Sequence, residues 1–195
     1  MPLKKSYKLI YYSFSIFFGI SIILNWNDWK LAGYFTDKII AWIWIFLTLF
    51  FIIIFWKKKY VKIYFFSIVA LLSLSVLPMA IPLFGIYFYL TKEGDYQQIE
   101  MNNNFRLERT KQQALSLPRI YIYEKYFGIL EKNISRPNYS EILQEMFKDS
   151  NLNEKETNIQ SAKFISKNND SIGIEYEILN TKKTIYHKLN NEDGY

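Results

Sequence analysis

Apolar positions dominate the first 90 residues in three uninterrupted runs, Leu9–Leu24, Ile39–Trp56 and Ile63–Leu90, none of which holds an Asp, Glu, Lys, Arg or His. A helix rises about 1.5 Å per residue, so the second run alone spans about 27 Å, close to the roughly 30 Å hydrocarbon thickness of a bilayer. The pattern predicts three transmembrane helices, over about residues 8–26, 39–56 and 63–90. The first run starts after Lys4, Lys5 and Lys8 but lacks a small-residue cleavage site, so it reads as a retained anchor. Pro78 and Pro82 fall inside the third run. Proline removes a backbone donor and kinks a helix, so one long kinked helix is expected, with Ser73 and Ser75 bonding the carbonyls that are freed. A hairpin broken at the prolines is the rival, and its two arms would be short for spanning.

Beyond Leu90 the pattern changes. Residues 91–95 read as a linker. Alternating positions then predict strands at Phe105–Thr110, Arg119–Lys125 and Ile129–Ile134, the last two joined by a turn at Tyr126-Phe127-Gly128. Asn138 followed by Glu141 resembles a capping box, and Ile142, Leu143, Met146 and Phe147 recur at helical spacing over about Tyr139–Lys148. Three more strands follow, at Ile159–Ser166, Ile172–Leu179 and Thr184–Leu189, with turns at 168–170 and 180–183. The expected fold is therefore a membrane helical domain (1–90) joined to a soluble α+β domain (91–195). The latter would be a mostly antiparallel, strongly curved sheet or small barrel with one short helix.

Charge sharpens this division. Residues 1–90 carry nine Lys and two Asp, whereas 91–195 carry fifteen basic and sixteen acidic residues. The overall charge of +6 therefore belongs to helix ends and is not a nucleic-acid footprint. Seven Lys lie at the N-terminus and in the second loop (4, 5, 8, 57, 58, 59, 62), against Lys30 and Lys38 in the first loop, which also holds Asp28 and Asp37. By the positive-inside rule the N-terminus is cytoplasmic and the C-terminal domain extracytoplasmic, in a multi-pass protein of the plasma (inner) membrane. The Lys, Asn and Ile bias points to an AT-rich bacterial genome. Trp26, Trp29, Trp42, Trp44 and Trp56 read as an interfacial belt. Ser15 and Gly19, four apart, read as a small-residue helix contact.

Candidate chemistry is sparse. There is no Cys, which removes disulfides and thiolate sites together. The uncharged runs disfavour proton relays and ion-coupled transport. His187 is the only His and shares a strand face with Ile185 and Leu189, as a structural histidine would. Glu175 and Glu177 read as a solvated strand face. No catalytic residue, metal site or cofactor is expected. The residues singled out as a binding surface are Arg119, Tyr121, Tyr123, Tyr126 and Phe127. Together these features indicate a non-enzymatic membrane protein whose soluble domain binds an envelope protein, as a complex subunit or immunity-type protein, or which self-associates. The alternative is a sensor-effector whose cytoplasmic domain takes a small ligand such as a nucleotide and perturbs the membrane.

Overall fold

The computed structural model describes residues 2–75, 81–91, 93–111, 117–147 and 157–189. The chain divides into two compact units. One comprises Met1–Asn27 and Gly33–Thr91, and the other comprises Asp28–Ala32 and Lys92–Tyr195. A five-residue piece of the first loop thus belongs to the C-terminal unit.

The first unit contains helices α1 (Pro2–Trp26), α2 (Thr36–Phe55), α3 (Lys59–Leu74) and α4 (Ile81–Leu90). Two of these, α1 and α2, are long and apolar enough to cross a membrane. Their most apolar stretches are only 11% and 33% buried within the protein. Leu9, Ile16 and Ile53 are all more than 60% exposed. A contiguous apolar surface of this kind suits lipid and not water. The helix-helix contact is aromatic and hydroxylic. Tyr11 stacks on Phe51 at 4.3 Å and Phe18 on Trp44 at 4.8 Å. Thr48, the one polar side chain of the second run besides the indoles, is buried against the Tyr11 hydroxyl, which also bonds that of Tyr64. Ser15 accepts a hydrogen bond from Trp44 Nε1, but nothing approaches within 4 Å of where a Gly19 Cβ would sit. The Ser15/Gly19 close approach is therefore absent: broad aromatic rings keep the backbones apart.

The proline kink expected at Pro78 lies outside the described residues, as does the side chain of Pro82. Ser73 and Ser75 donate to the carbonyls of Val69 and Leu72, earlier in the helix than Leu74, whose carbonyl Pro78 would free.

The second unit holds β1 (Trp29–Leu31), β2 (Asp95–Glu100), β3 (Phe105–Thr110), β4 (Ile120–Tyr126), β5 (Leu130–Ser135), α5 (Tyr139–Phe147), β6 (Ile159–Lys167), β7 (Ser171–Ile178) and β8 (Thr181–Lys188). It forms two open antiparallel sheets, ordered β1-β5-β4-β3-β2 and β6-β7-β8. The expected single sheet or barrel is therefore corrected to two. The reason is visible in the core. Ile172, Ile174, Tyr176 and Ile178 of β7 meet Leu107, Ile120 and Ile122 of β3 and β4, and α5 adds Tyr139, Ile142 and Leu143. The smaller sheet and the helix cover the apolar face of the larger one, so no closure is needed to bury it.

Two strands lie where none was expected. β1 pairs with β5 through Trp29↔Lys132, Lys30↔Glu131 and Leu31↔Leu130. β2 begins at Asp95 and pairs with β3. The turn expected over 180–183 is tighter: Leu179 and Asn180, at φ 50° and 61°, form a two-residue connection and β8 starts at Thr181. Asn138 and Glu141 do meet at the start of α5, but side chain to side chain at 2.7 Å.

Candidate functional site

The five residues singled out in the sequence do not form one surface. Arg119 and Phe127 lie at opposite ends of β4, eight residues and about 26 Å apart along an extended strand. Arg119 is exposed and bridges Asn138. Tyr121 and Tyr123 stack at 6.3 Å on one face of the sheet. Tyr126 points to the other face, where its hydroxyl donates to Glu124 at 2.6 Å and its ring lies 5.1 Å from Trp29. Phe127 stands at the turn, 94% exposed.

The face that carries Tyr123 holds instead a buried ionic cluster. Along β3, Phe105 and Leu107 face the core, so the period of two sends Arg106 and Glu108 to the opposite face. Register brings Tyr123 and Asn133 beside Arg106, and β1 brings Lys30 beside Glu131. Arg106 donates to Glu131 at 2.7 Å, to Glu108 at 3.1 Å and to Gln98 at 2.9 Å. Lys30 Nζ lies 3.3 Å from Glu108 and 3.6 Å from the centre of the Tyr123 ring. Arg106 and Glu131 are almost wholly buried, at 2% and 0% exposure. Two cations and two carboxylates balance to zero, which is how buried charge is tolerated.

The ionisation of these groups follows from this setting. Burial, together with Arg106, lowers the Lys30 ammonium below its ordinary value despite the opposing pull of Glu108. Burial also works against the Arg106 cation, but the hydrogen bond and charge of Glu131, joined by Glu108, outweigh it and hold the guanidinium above its usual range. Burial and the Glu108 charge push the Tyr123 hydroxyl well up. The structural effect of the cluster is to clamp β1, from the first loop, onto β3, β4 and β5. Asp28 extends the clamp: its carboxylate pairs with Arg136 and its carbonyl accepts from Asn133 N–H at 2.8 Å.

A second buried arginine, Arg109, faces the core side and joins the two sheets. It donates to the Thr157 carbonyl at 2.6 Å and covers the Tyr139 ring at 3.6 Å. Beside it the Gln97 amide bonds both the N–H and the C=O of Ile159, each at 3.0 Å, standing in for a strand partner. No local sequence signal marks either arginine. Both occupy a strand whose alternation reads as half solvated, and their partners are distant in the chain.

A cleft of about 310 Å³ lies between the end of β5, α5 and β8, lined by Ser135, Arg136, Glu141, Glu145, His187 and Lys188 among others. His187 is buried in its wall with Nε2 2.8 Å from the Tyr176 hydroxyl. Burial lowers its pKa to about 4, so the ring is neutral at physiological pH. The polar lining is engaged internally: Ser135 Oγ donates to the Lys188 carbonyl, Arg136 pairs with Asp28, and Glu141 accepts from Asn138. Glu177 accepts from Ser161 and pairs with Lys182. Among the described residues no group of three His, Cys, Asp or Glu could hold a metal ion.

The indole belt divides. Trp26 (87% exposed), Trp42 and Trp56 remain on helix surfaces, Trp44 packs between helices, and Trp29 is part of the β-sheet unit. The chain thus combines apolar helices suited to anchoring in a membrane with a separate folded α+β unit, and no family model, curated protein or solved structure matches it.

Proposed function

We propose that the protein is a non-enzymatic, three-span protein of the bacterial plasma membrane whose β-sheet unit stands on the extracytoplasmic side and binds an envelope protein. The observation that carries this reading is strand β1. The segment between the first two helices is hydrogen-bonded into the same sheet as residues 95–135. A strand and its sheet occupy one side of a bilayer, so the chain between Ala32 and Glu93 makes an even number of crossings. α2 supplies one, and residues 59–90 supply one other. A hairpin at the prolines would give three and would part β1 from its sheet. The Lys-rich N-terminus and second loop then share the opposite, cytoplasmic face. The charges of 28–32 reinforce the assignment, because Lys30 and Asp28 are neutralised within the sheet unit by Glu108 and Arg136.

The sensor-effector alternative needs this unit in the cytoplasm. That would carry seven Lys to the outside, against the charge rule. Binding is favoured over catalysis because the polar groups of the cleft and of the ionic cluster are committed to one another.

The test is sidedness followed by capture. Cys introduced singly at Ser6 and at the exposed Asn169 is labelled in intact and lysed cells with a membrane-impermeant thiol reagent. Labelling of Asn169→Cys alone in intact cells is expected, with cross-linking then returning a reproducible envelope partner. Labelling of Ser6→Cys alone would refute the orientation, and labelling of both would refute the odd number of spans.

A further inference from the structure

We infer that the β4–β5 hairpin tip, Phe127 and Ile129, is a lipid-contacting finger that seats at the headgroup level of the leaflet next to the sheet unit. The inference rests on the membrane-anchored reading above and adds a second point of membrane contact.

Phe127 is a residue that the fold does not require. Ile129 N–H bonds the Tyr126 carbonyl at 3.3 Å, and the two residues between have φ of 52° and 69°. Two consecutive positive φ values define a type I′ hairpin turn, for which Asn-Gly is the favoured pair. Gly128 meets that demand. Phe127 does not: a bulky side chain at positive φ is an outlier that stores strain. It also buries almost nothing, at 94% exposure, and Ile129 beside it is 67% exposed. Neither turn geometry nor the core explains two large apolar side chains at this tip.

Chain connectivity says what covers them. Ala32 N–H bonds the Ile129 carbonyl at 2.8 Å. Ala32 precedes the start of α2 at Thr36 by four residues, which extend at most about 14 Å. The tip is therefore tethered within one short span of the point where an apolar helix begins. Its neighbours have the composition of a headgroup layer: the Trp29 and Tyr126 rings, with Lys132 Nζ 5.5 Å from the Trp29 centre. Amphipathic aromatics and lysines favour that depth. The molecule supplies its own comparison. The β7–β8 turn has the same positive-φ pair and an exposed Leu179 (53%), but it sits in the sheet that receives no strand from the first loop.

The absence of Cys allows a direct test on the full-length chain in liposomes of phosphatidylcholine and phosphatidylglycerol. Phe127→Cys, Ile129→Cys, Leu179→Cys and Phe50→Cys are each labelled with a nitroxide, Phe50 being 57% exposed on α2. Collision with oxygen is then compared with collision with a water-soluble nickel chelate. The expected result is a several-fold higher oxygen-to-nickel ratio at 127 and 129 than at 179, approaching that at 50. Ratios at 127 and 129 equal to that at 179, with 50 shielded, would overturn the finger and leave the anchor standing. Nickel access at 50 would overturn the anchor and the finger with it. Shielding at 127 and 129 that disappears on dilution of protein in lipid would assign the tip to a contact between copies, and would likewise overturn the inference.

Discussion

Replacing Arg106 alone, Glu131 alone, and then both, tests whether the ionic cluster is a clamp held by charge balance. The pair is separated by 2.7 Å, with side chains 2% and 0% exposed. In wild type the four charged groups sum to zero. Arg106→Met leaves Lys30 against two carboxylates, a net −1, with Glu131 stripped of its guanidinium partner. Glu131→Met leaves a net +1, but Arg106 keeps Glu108 at 3.1 Å and Gln98 at 2.9 Å. Breaking a buried pair from one side costs about 3–5 kcal/mol, because the remaining charge is uncompensated. Arg106→Met belongs at the upper end of that range and Glu131→Met at the lower. The double variant restores neutrality with Lys30 and Glu108 still paired at 3.3 Å. Similar-volume apolar replacement of a buried pair is often neutral or better. The double variant is therefore expected to lie within about 1 kcal/mol of wild type. Amide hydrogen exchange across β3, β4 and β5 is the appropriate assay, since it reads one unit of a two-unit chain without requiring the whole chain to unfold in two states. Protection should fall roughly 10²-fold in Glu131→Met and more than 10³-fold in Arg106→Met, at about 1.4 kcal/mol per tenfold, and return in the double. A double variant whose loss equals the sum of the two single losses would refute the reasoning.

Three further outcomes follow from individual contacts. His187 is buried with its pKa lowered to about 4 from 6.5. Its neutral form is therefore the folded one, and the stability this provides is complete above pH 6.5 and is lost as pH falls from 6.5 through about 4, at a cost of about 3 kcal/mol. His187→Gln should flatten that limb of a pH-stability profile relative to wild type. Gln97→Ala removes the amide that bonds both backbone groups of Ile159, so amides at the start of β6 should exchange faster, for a loss of about 1–3 kcal/mol, while the α1–α2 contact is unchanged. Leu179→Asn places a residue that tolerates positive φ at 50° and should slow amide exchange in β7 and β8, for a gain of about 1 kcal/mol.

How far the sequence revealed this structure depended on where each element draws its stability. The apolar runs of α1 and α2, and the alternation of Ile172, Ile174, Tyr176 and Ile178, are local patterns driven by burial, and both were legible. β1 was not, since three residues between Asp28 and Ala32 carry no periodicity, and what makes them a strand lies about eighty to a hundred residues away, in the ladder to β5 and in contacts with Glu108, Tyr123 and Arg136. β2 was hidden by its composition. Its core-side Gln97 is polar because it serves a backbone, so no apolar alternation marks the strand. Arg106 looks like a solvated strand position for a similar reason, as its buried partner Glu131 is 25 residues distant. The aromatic residues of β4 lie together in the sequence, but the pleat sends them to opposite faces and one end. Of these aromatic residues Phe127 stands most exposed, with Ile129 two positions on.

The ionic cluster and the membrane topology are parts of one argument. Three residues are too few to hold a strand by backbone bonding alone, because ordering each costs about 1–2 kcal/mol while each ladder hydrogen bond returns about 1 kcal/mol net. The deficit in β1 is met by side chains: Lys30 on Glu108 and the Tyr123 ring, and Asp28 on Arg136. The residues that look least like a core, charged and in a short polar loop, are thus what converts that loop into part of the sheet. The sheet in turn ties the segment between two apolar helices to the C-terminal unit. Under the proposed topology, weakening Lys30 or Glu108 would free β1 while the Leu107–Ile174 core stayed packed. The hairpin tip at Phe127 would then lose its tether to the start of α2 without the domain unfolding.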